Sequence, residues 1–523
     1  MSVGSSGHVP QLALQTSAPT LTRVAAICAV LLLGVYCAML ILTSPVPVQD
    51  LPDHLARAAA MSDLIFHGGA RYGEPYQFHL LWVPYLLADL ILAVAVELFG
   101  ATGGAAFWTL LVFLAFPCAA LFYLRVRRIE ASDRVLMLLL ALYLSTDWFF
   151  LMGFMSFQIS VAMLIATLGL VELLRRTWSN GLFTLYVAAV VLDYLMHLSP
   201  VIFLVAALGV TGLLRLKSGK TTLRAELTLL IPVIVVLLWH FAIASRYREP
   251  GDLIASVYFW GTWASKFQRI GSQFFHYAPR TDLFLVALMM CALSARSGVP
   301  RWRDLRQPLV FEMSLLTVTF LAMYFVLPLG YSEAYYVDTR PLPLVSFFLI
   351  AACLALPRQE RGARRPRERL AVALAALLAV VNLIYLTRHF LMDRAWIAEY
   401  RSLAAAIPLH SRVLPINTRG GEGSFNPFLH TSAFIALDRA ATEPYVFAGD
   451  NGNPMKYFRY THLPYDPPVQ WYGEIPRRRL DWHRVAEDYD FLLITKPYEP
   501  WVLAIPTQPL AGNSTATLLE IVK

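Results

Sequence analysis

The chain has 523 residues, 57% of them hydrophobic and 15% charged, with a formal net charge of +8. Soluble domains carry roughly 25% charged residues, so this composition excludes an ordinary soluble protein and points to an α-helical polytopic membrane protein. The positive excess lies mainly in short connectors between apolar runs, the pattern of membrane orientation, which excludes a nucleic-acid-binding groove as its cause.

Residues 1–21 form a polar tail, read as cytoplasmic. A span needs about 20 mainly apolar residues. The first runs over 22–43, lacks a small-residue cleavage site, and reads as a retained helix rather than a removed signal. Further spans are expected at 105–124, 135–151, 155–173, 182–197, 200–215, 226–244, 282–295, 309–329, 341–357 and 369–387, about eleven in all. Segment 80–99 is equally apolar. Pro84 and Asp89 within it, with Trp82 and Tyr85 near its start, suit a helix lying at the interface inside an outer loop 44–104.

Loops 125–134, 174–181, 215–224, 296–306 and 357–369 hold 20 Lys and Arg in 52 positions, against 8 in 99 for the alternate set. The first set is therefore cytoplasmic. With 80–99 not crossing, the polar features of the other set converge on the outer face.

The first of these follows Pro45-Val46-Pro47, which stops the first span: Gln49-Asp50-Leu51-Pro52-Asp53-His54 opens a new helix. Asp50 and Asp53 read either as cap and dipole partner or as a general base whose pKa a half-dry mouth raises. His54, one turn from Asp50, would orient it, bind phosphate or share a metal, although no further ligand is identified by spacing. Asp147, beside Trp148, and His197, where one span ends and another begins, read as solvated or capping residues or as site-lining groups.

Loop 245–281 interleaves Lys266, Arg269 and other basic residues with Trp260 and Trp263, a mixture suited to an anionic headgroup, a sugar face or plain anchoring. Tyr336, Asp338 and Arg340 precede the tenth span. An arginine at an outer helix end needs a partner, either Asp338 or a phosphate gripped by the guanidinium fork.

Residues 388–523 contain no span. Strand-like runs at 412–416, 445–447, 490–494 and 518–522, helical stretches at 388–407 and 428–440, and Gly/Asn/Pro-rich turns predict a small outer α/β domain. The five cysteines all lie in or beside apolar spans and form no metal pattern. No nucleotide-binding, dinucleotide, GxSxG or HExxH signature is present.

One span, an outer loop with an acid and a histidine four positions on, juxtamembrane helices, many spans and an outer C-terminal domain resemble the GT-C superfamily of membrane glycosyltransferases. Asp50 and His54 match the family's D-E-x-x-H loop; Leu51 replaces its second acid and Asp53 supplies a carboxylate two positions later. The resemblance implies a module over 22–387 and an extracytoplasmic domain over 388–523. It also implies inverting transfer from a polyprenyl-phosphate-linked sugar to a lipid or glycan acceptor at the outer face of a bacterial inner membrane.

In that reading Asp50, Asp53 and His54 are catalytic, and Arg340, His197, Arg269 and Lys266 bind the donor phosphate. Asp147, Tyr336, Asp338 and Trp263 line the substrate, membrane lipids surround the protein, and a divalent metal, Mg or Mn, is left open. The weighed alternatives are a lipid-linked polysaccharide polymerase or ligase, which would lean on loop 245–281, and a lipid or glycan transporter.

Overall fold

In the computed structural model, the described residues are 20–246, 258–298, 301–331, 336–357, 361–417, 424–444, 446, 458–460, 481–496 and 503–523. The Gly-rich run 420–423, the turn at 450–454 and residues Tyr445 and Phe447 of one expected strand lie outside them.

Seventeen α-helices are described. They are α1 (Thr20–Leu42), α2 (Leu51–Phe66), α3 (Leu86–Val126), α4 (Ala131–Leu144), α5 (Trp148–Leu151), α6 (Met155–Arg176), α7 (Asn180–Met196), α8 (Leu198–Lys217), α9 (Leu223–Arg246), α10 (Trp263–Ile270), α11 (Pro279–Ser297), α12 (Trp302–Leu305), α13 (Pro308–Val326), α14 (Leu342–Ala355), α15 (Arg361–Ser402), α16 (Ala433–Arg439) and α17 (Trp482–Asp488). Among the described residues eight helices are long and apolar enough to cross a membrane, and α7 and α14 are shorter apolar helices. The expected span 282–295 falls in α11, whose ends carry Arg280, Asp282 and Arg296. The chain is an integral membrane protein with a mostly helical fold.

The expected break between 80–99 and 105–124 is a hairpin inside α3. Gly100 turns the chain at φ 69°, ψ 173°. A Cβ on Gly104 would stand 2.9 Å from the backbone nitrogen of Val96, so only glycine allows the second limb to fold back on the first. The limb 86–99 starts beside Tyr85, whose hydroxyl meets His197 at 3.1 Å, and ends where Ser44 Oγ donates to Thr102 O at 3.2 Å. Both ends lie at one pole of the bundle, so the limb runs across that pole alongside α2.

The basic connectors gather at the opposite pole. There Arg127 pairs with Glu172 and Glu312, Arg215 with Glu172, Arg175 with Glu226, and Arg296 with Asp133. Desolvated arginine is tolerated there because each fork meets a carboxylate.

Helix α15 continues past residue 388 to Ser402 and leads into a four-stranded sheet in the order β4 (Val413–Ile416), β6 (Phe491–Thr495), β8 (Ala516–Ile521), β7 (Thr507–Gly512). β4 and β6 pair in parallel, with Val413 opposite Phe491; the other pairs are antiparallel. Successive residues point to opposite faces. Val413, Leu493 and Leu518 pack toward α16, whereas Leu414, Leu492 and Leu519 pack with Trp482 and Val485 of α17. β7 was not expected from the sequence. Two small ladders complete the fold: β1 (Tyr76–Phe78) with β5 (Phe458–Tyr460), tying the first loop to the C-terminal domain, and β2 (Tyr258–Phe259) with β3 (Gly330–Tyr331).

Candidate functional site

The start of α2 is seated in a groove of backbone. Gln49 N donates to Leu151 O at 2.9 Å and Asp50 N to Met152 O at 3.2 Å. Gly153, at φ +81°, makes the seat possible: a Cβ there would come 2.6 Å from Asp50 N. Asp50 occupies the N-cap position without accepting a capping bond. The capping reading of its carboxylate is therefore corrected: Oδ1 faces Gln49 Nε2 at 3.3 Å and His430 Nε2 at 3.5 Å.

His430 comes from the C-terminal domain, just before α16. Its Nδ1 lies 2.6 Å from Asp53 Oδ2, so the imidazole bridges the two aspartates. All three side chains are buried, at 7%, 0% and 4% exposure for Asp50, Asp53 and His430. Burial pushes Asp50 up to about 7, against the pull of His430. Burial disfavours the imidazolium too, yet the Asp53 carboxylate outweighs it and raises His430 to about 9. Burial also pushes Asp53 upward. We take the Asp53–His430 pair as carboxylate and imidazolium, because a contact ion pair costs less in a dry site than either ion alone. Asp50 is then the carboxyl that titrates near neutrality.

One turn on, Arg57 Nη2 reaches Asp89 at 2.7–2.8 Å and His54 Nδ1 at 3.2 Å. Burial first, and the Arg57 cation second, hold His54 well below its usual range, as a neutral imidazole. Since Nδ1 accepts from Arg57, the proton sits on Nε2.

A second cluster forms where α7 meets α8. His197 Nδ1 accepts from Ser199 N at 3.1 Å, and its Nε2 faces both the Tyr85 hydroxyl at 3.1 Å and Arg340 Nη1 at 3.3 Å. Arg340 donates to Ser199 Oγ at 2.9 Å and lies over the Phe157 ring at 6.0 Å. Its expected partner is corrected: Asp338 pairs with Arg269 at 3.0 Å and Lys266 at 3.7 Å. Among the described residues no carboxylate pairs with Arg340, and its Nε is buried without a hydrogen bond. Lys266 also donates to Tyr324 O, Phe325 O and Leu327 O, closing the C-terminus of α13.

Asp147 is the N-cap of α5, accepting from Phe150 N at 3.1 Å and from Gln158 Nε2 at 2.6 Å. With Gln158, Gln273, Ser346 and Phe157 it lines a cavity beside Arg340's helix. Tyr336 packs edge-on against Trp148 at 4.9 Å. Trp263 is exposed on α10 and leans on Phe325. The residues singled out from sequence thus form two compact clusters, around Asp50 and around Arg340, at one pole, with Lys266, Arg269 and Asp338 as a packed support. His430 escaped sequence reading; its only signal was a lone histidine in the apolar run Phe428-Leu429-His430.

The carboxylate pair does not fit a divalent ion in this arrangement. The imidazole stands between Asp50 and Asp53, and among the described residues no three His, Cys, Asp or Glu side chains are grouped to hold a metal.

No protein-family model and no curated protein matches this sequence. Among solved structures, the chain is similar to apo ArnT from Cupriavidus metallidurans, with a TM-score of 0.55 and 12% identity over 96% of this chain and 98% of that one. The same protein bound to undecaprenyl phosphate gives 0.55 and 11% over 95% and 98%. The archaeal oligosaccharyltransferase AglB from Archaeoglobus fulgidus, in complex with an inhibitory peptide and a dolichol-phosphate, gives 0.40 and 12% over 91% and 70%. At these identities the likeness is one of fold: this chain has an ArnT-like fold.

Proposed function

We propose that this chain is an inverting membrane glycosyltransferase of the GT-C type, moving a sugar from a polyprenyl phosphate to an acceptor hydroxyl. The observation that carries the proposal is the pairing of two groups at one pole: a buried carboxyl titrating near neutrality, Asp50, and an arginine with no carboxylate among the described residues, Arg340. The fold shared with ArnT bound to undecaprenyl phosphate supports a lipid-phosphate donor. The basic loops at the opposite pole support an extracytoplasmic site in a bacterial inner membrane.

In this mechanism Asp50 removes the proton from the acceptor hydroxyl as its oxygen attacks C1 of the sugar. The C1–O bond to phosphate breaks with inversion, and its electron pair stays on the phosphate oxygen. Arg340, with the Ser199 hydroxyl beside it and His197 buttressing the guanidinium, meets that developing charge, the largest catalytic contribution. Lys266 and Arg269 are engaged by α13 carbonyls and Asp338, so in this mechanism the donor-binding role expected of them rests on Arg340.

The test is incorporation of labelled sugar from a polyprenyl-phosphate pool into membranes. Asp50→Asn is expected to lower transfer by about 10²–10⁴-fold, the usual worth of a general base. Arg340→Met is expected to weaken retention of polyprenyl phosphate. Normal transfer by both variants rejects the proposal.

A further inference from the structure

The transfer mechanism leaves His430 without a role. His430 arrives from the C-terminal domain on a segment fastened at several points. Asn426 N donates to Gln49 Oε1 at 3.0 Å, Ser424 N to His276 O at 3.1 Å, and Trp148 Nε1 to Ser424 O at 3.1 Å. Tyr72 Oη donates to Leu437 O at 2.9 Å on the far side of the same segment. These bonds fix the imidazole from both sides, and Asp53 holds Nδ1 at 2.6 Å, so that Nε2 aims at Asp50. The arrangement is an oriented imidazole with a carboxylate behind it, the logic by which a third group sets the direction of a working pair.

From this geometry we infer that His430 is a positioning residue, and that docking of the C-terminal domain sets the charge of Asp50. The inference rests on the reading of Asp50 as the base. With the domain docked, a cation stands 3.5 Å from the carboxyl and favours its ionised, proton-accepting form. With the domain lifted, Asp50 keeps its apolar seat against Met152 and Gly153 and loses the cation, so it holds its proton and is idle as a base. Docking becomes a condition of catalysis.

Among the described residues, the charged and titratable groups around this contact are few. From α2 and its first turn they are Asp50, Asp53, His54 and Arg57; from the domain, Glu443, which Ser432 Oγ approaches at 3.5 Å. The turn at 152–153 packed on Asp50 brings none. Glu443 favours the imidazolium, and neutral His54 adds no charge, so the cation at His430 is the one that reaches Asp50.

The test needs no substrate. Dicyclohexylcarbodiimide modifies protonated carboxyls in apolar surroundings, and the extent of Asp50 modification against pH, read by peptide mass spectrometry on the full-length protein in detergent, reports its charge. In His430→Gln the midpoint is expected to move alkaline by about one to two pH units, the effect of removing a close opposite charge. His430→Lys, which keeps a cation, is expected to stay near wild type. An unmoved midpoint in a folded His430→Gln protein overturns the inference and leaves His430 a packing residue.

Should that variant not fold, wild type alone decides. Below neutrality Asp50 is expected to be modified ahead of Asp53, which the imidazolium protects; the reverse order overturns the inference. The modification uses no donor, so it reads the charge of Asp50 separately from the transfer assay that tests Asp50 as the base.

Discussion

Asp50 and Asp53 are both buried on the first turn of one helix, and what separates them is a neighbour from another part of the chain. Asp53 is committed to His430 Nδ1 at 2.6 Å; Asp50 stands off at 3.5 Å from the other ring nitrogen. A base must be ionised before it accepts a proton, so transfer is expected to rise with pH through about 7, the value to which burial lifts Asp50, and to level off above it. A rate profile with no inflection between pH 6 and 8 would remove Asp50 from that role. The candidate Asp50 and His54 were legible because they are neighbours in sequence. The choice between Asp50 and Asp53 was not, since the histidine that makes it lies in the C-terminal domain and no local pattern marks it. Arg340 was legible as a cation out of place; of the two partners that sequence adjacency and chemistry offered, Asp338 drops out, because the turn before α14 sends it toward Arg269.

At the level of elements, two glycines decide the architecture of the pole. Gly104 lets the limbs of α3 close to backbone distance of Val96, and Gly153 lets the turn before α6 press on Asp50. Gly153→Ala meets both a positive φ and a 2.6 Å collision, so it is expected to cost about 1–3 kcal/mol of backbone strain and to shift Asp50. A displacement of that kind lowers rate on the order of a hundredfold. The check is transfer activity alongside thermal stability; an alanine variant with wild-type values for both would show the seat to be unimportant. Sequence reading found most long helices because apolar length is a strong signal. It missed β7, whose Thr507–Gly512 run carries proline and alternates poorly, and the helical stretch expected at 388–407 is the continuation of α15 to Ser402. Charge and polarity mark where lipid ends, and a helix has no need to stop there.

For the whole molecule, the join between the two parts carries a titratable ion pair. His430 is raised from an ordinary 6.5 to about 9, so its contribution to the docked state is fully present below pH 6.5 and is lost as pH rises through about 9. Relative to the unfolded chain, the raised Asp50 adds a loss in the same direction between its ordinary 3.8 and about 7. Thermal stability is accordingly expected to fall between pH 6.5 and 9 in wild type, and to fall less there in the Asp50→Asn, His430→Gln double variant, which removes both groups. A fall of equal size in both proteins would assign it to other groups.

That join also dictates an order of assembly. Asp50 and Asp53 leave the ribosome just behind the first membrane helix, and His430 follows only after all the long apolar helices have been made. Throughout synthesis and insertion, two carboxyls destined for a dry site are without their imidazole, and an acid in apolar surroundings keeps its proton. On the proposed reading the nascent chain carries its base in a silenced state, and the domain that brings His430 is the one that arms it.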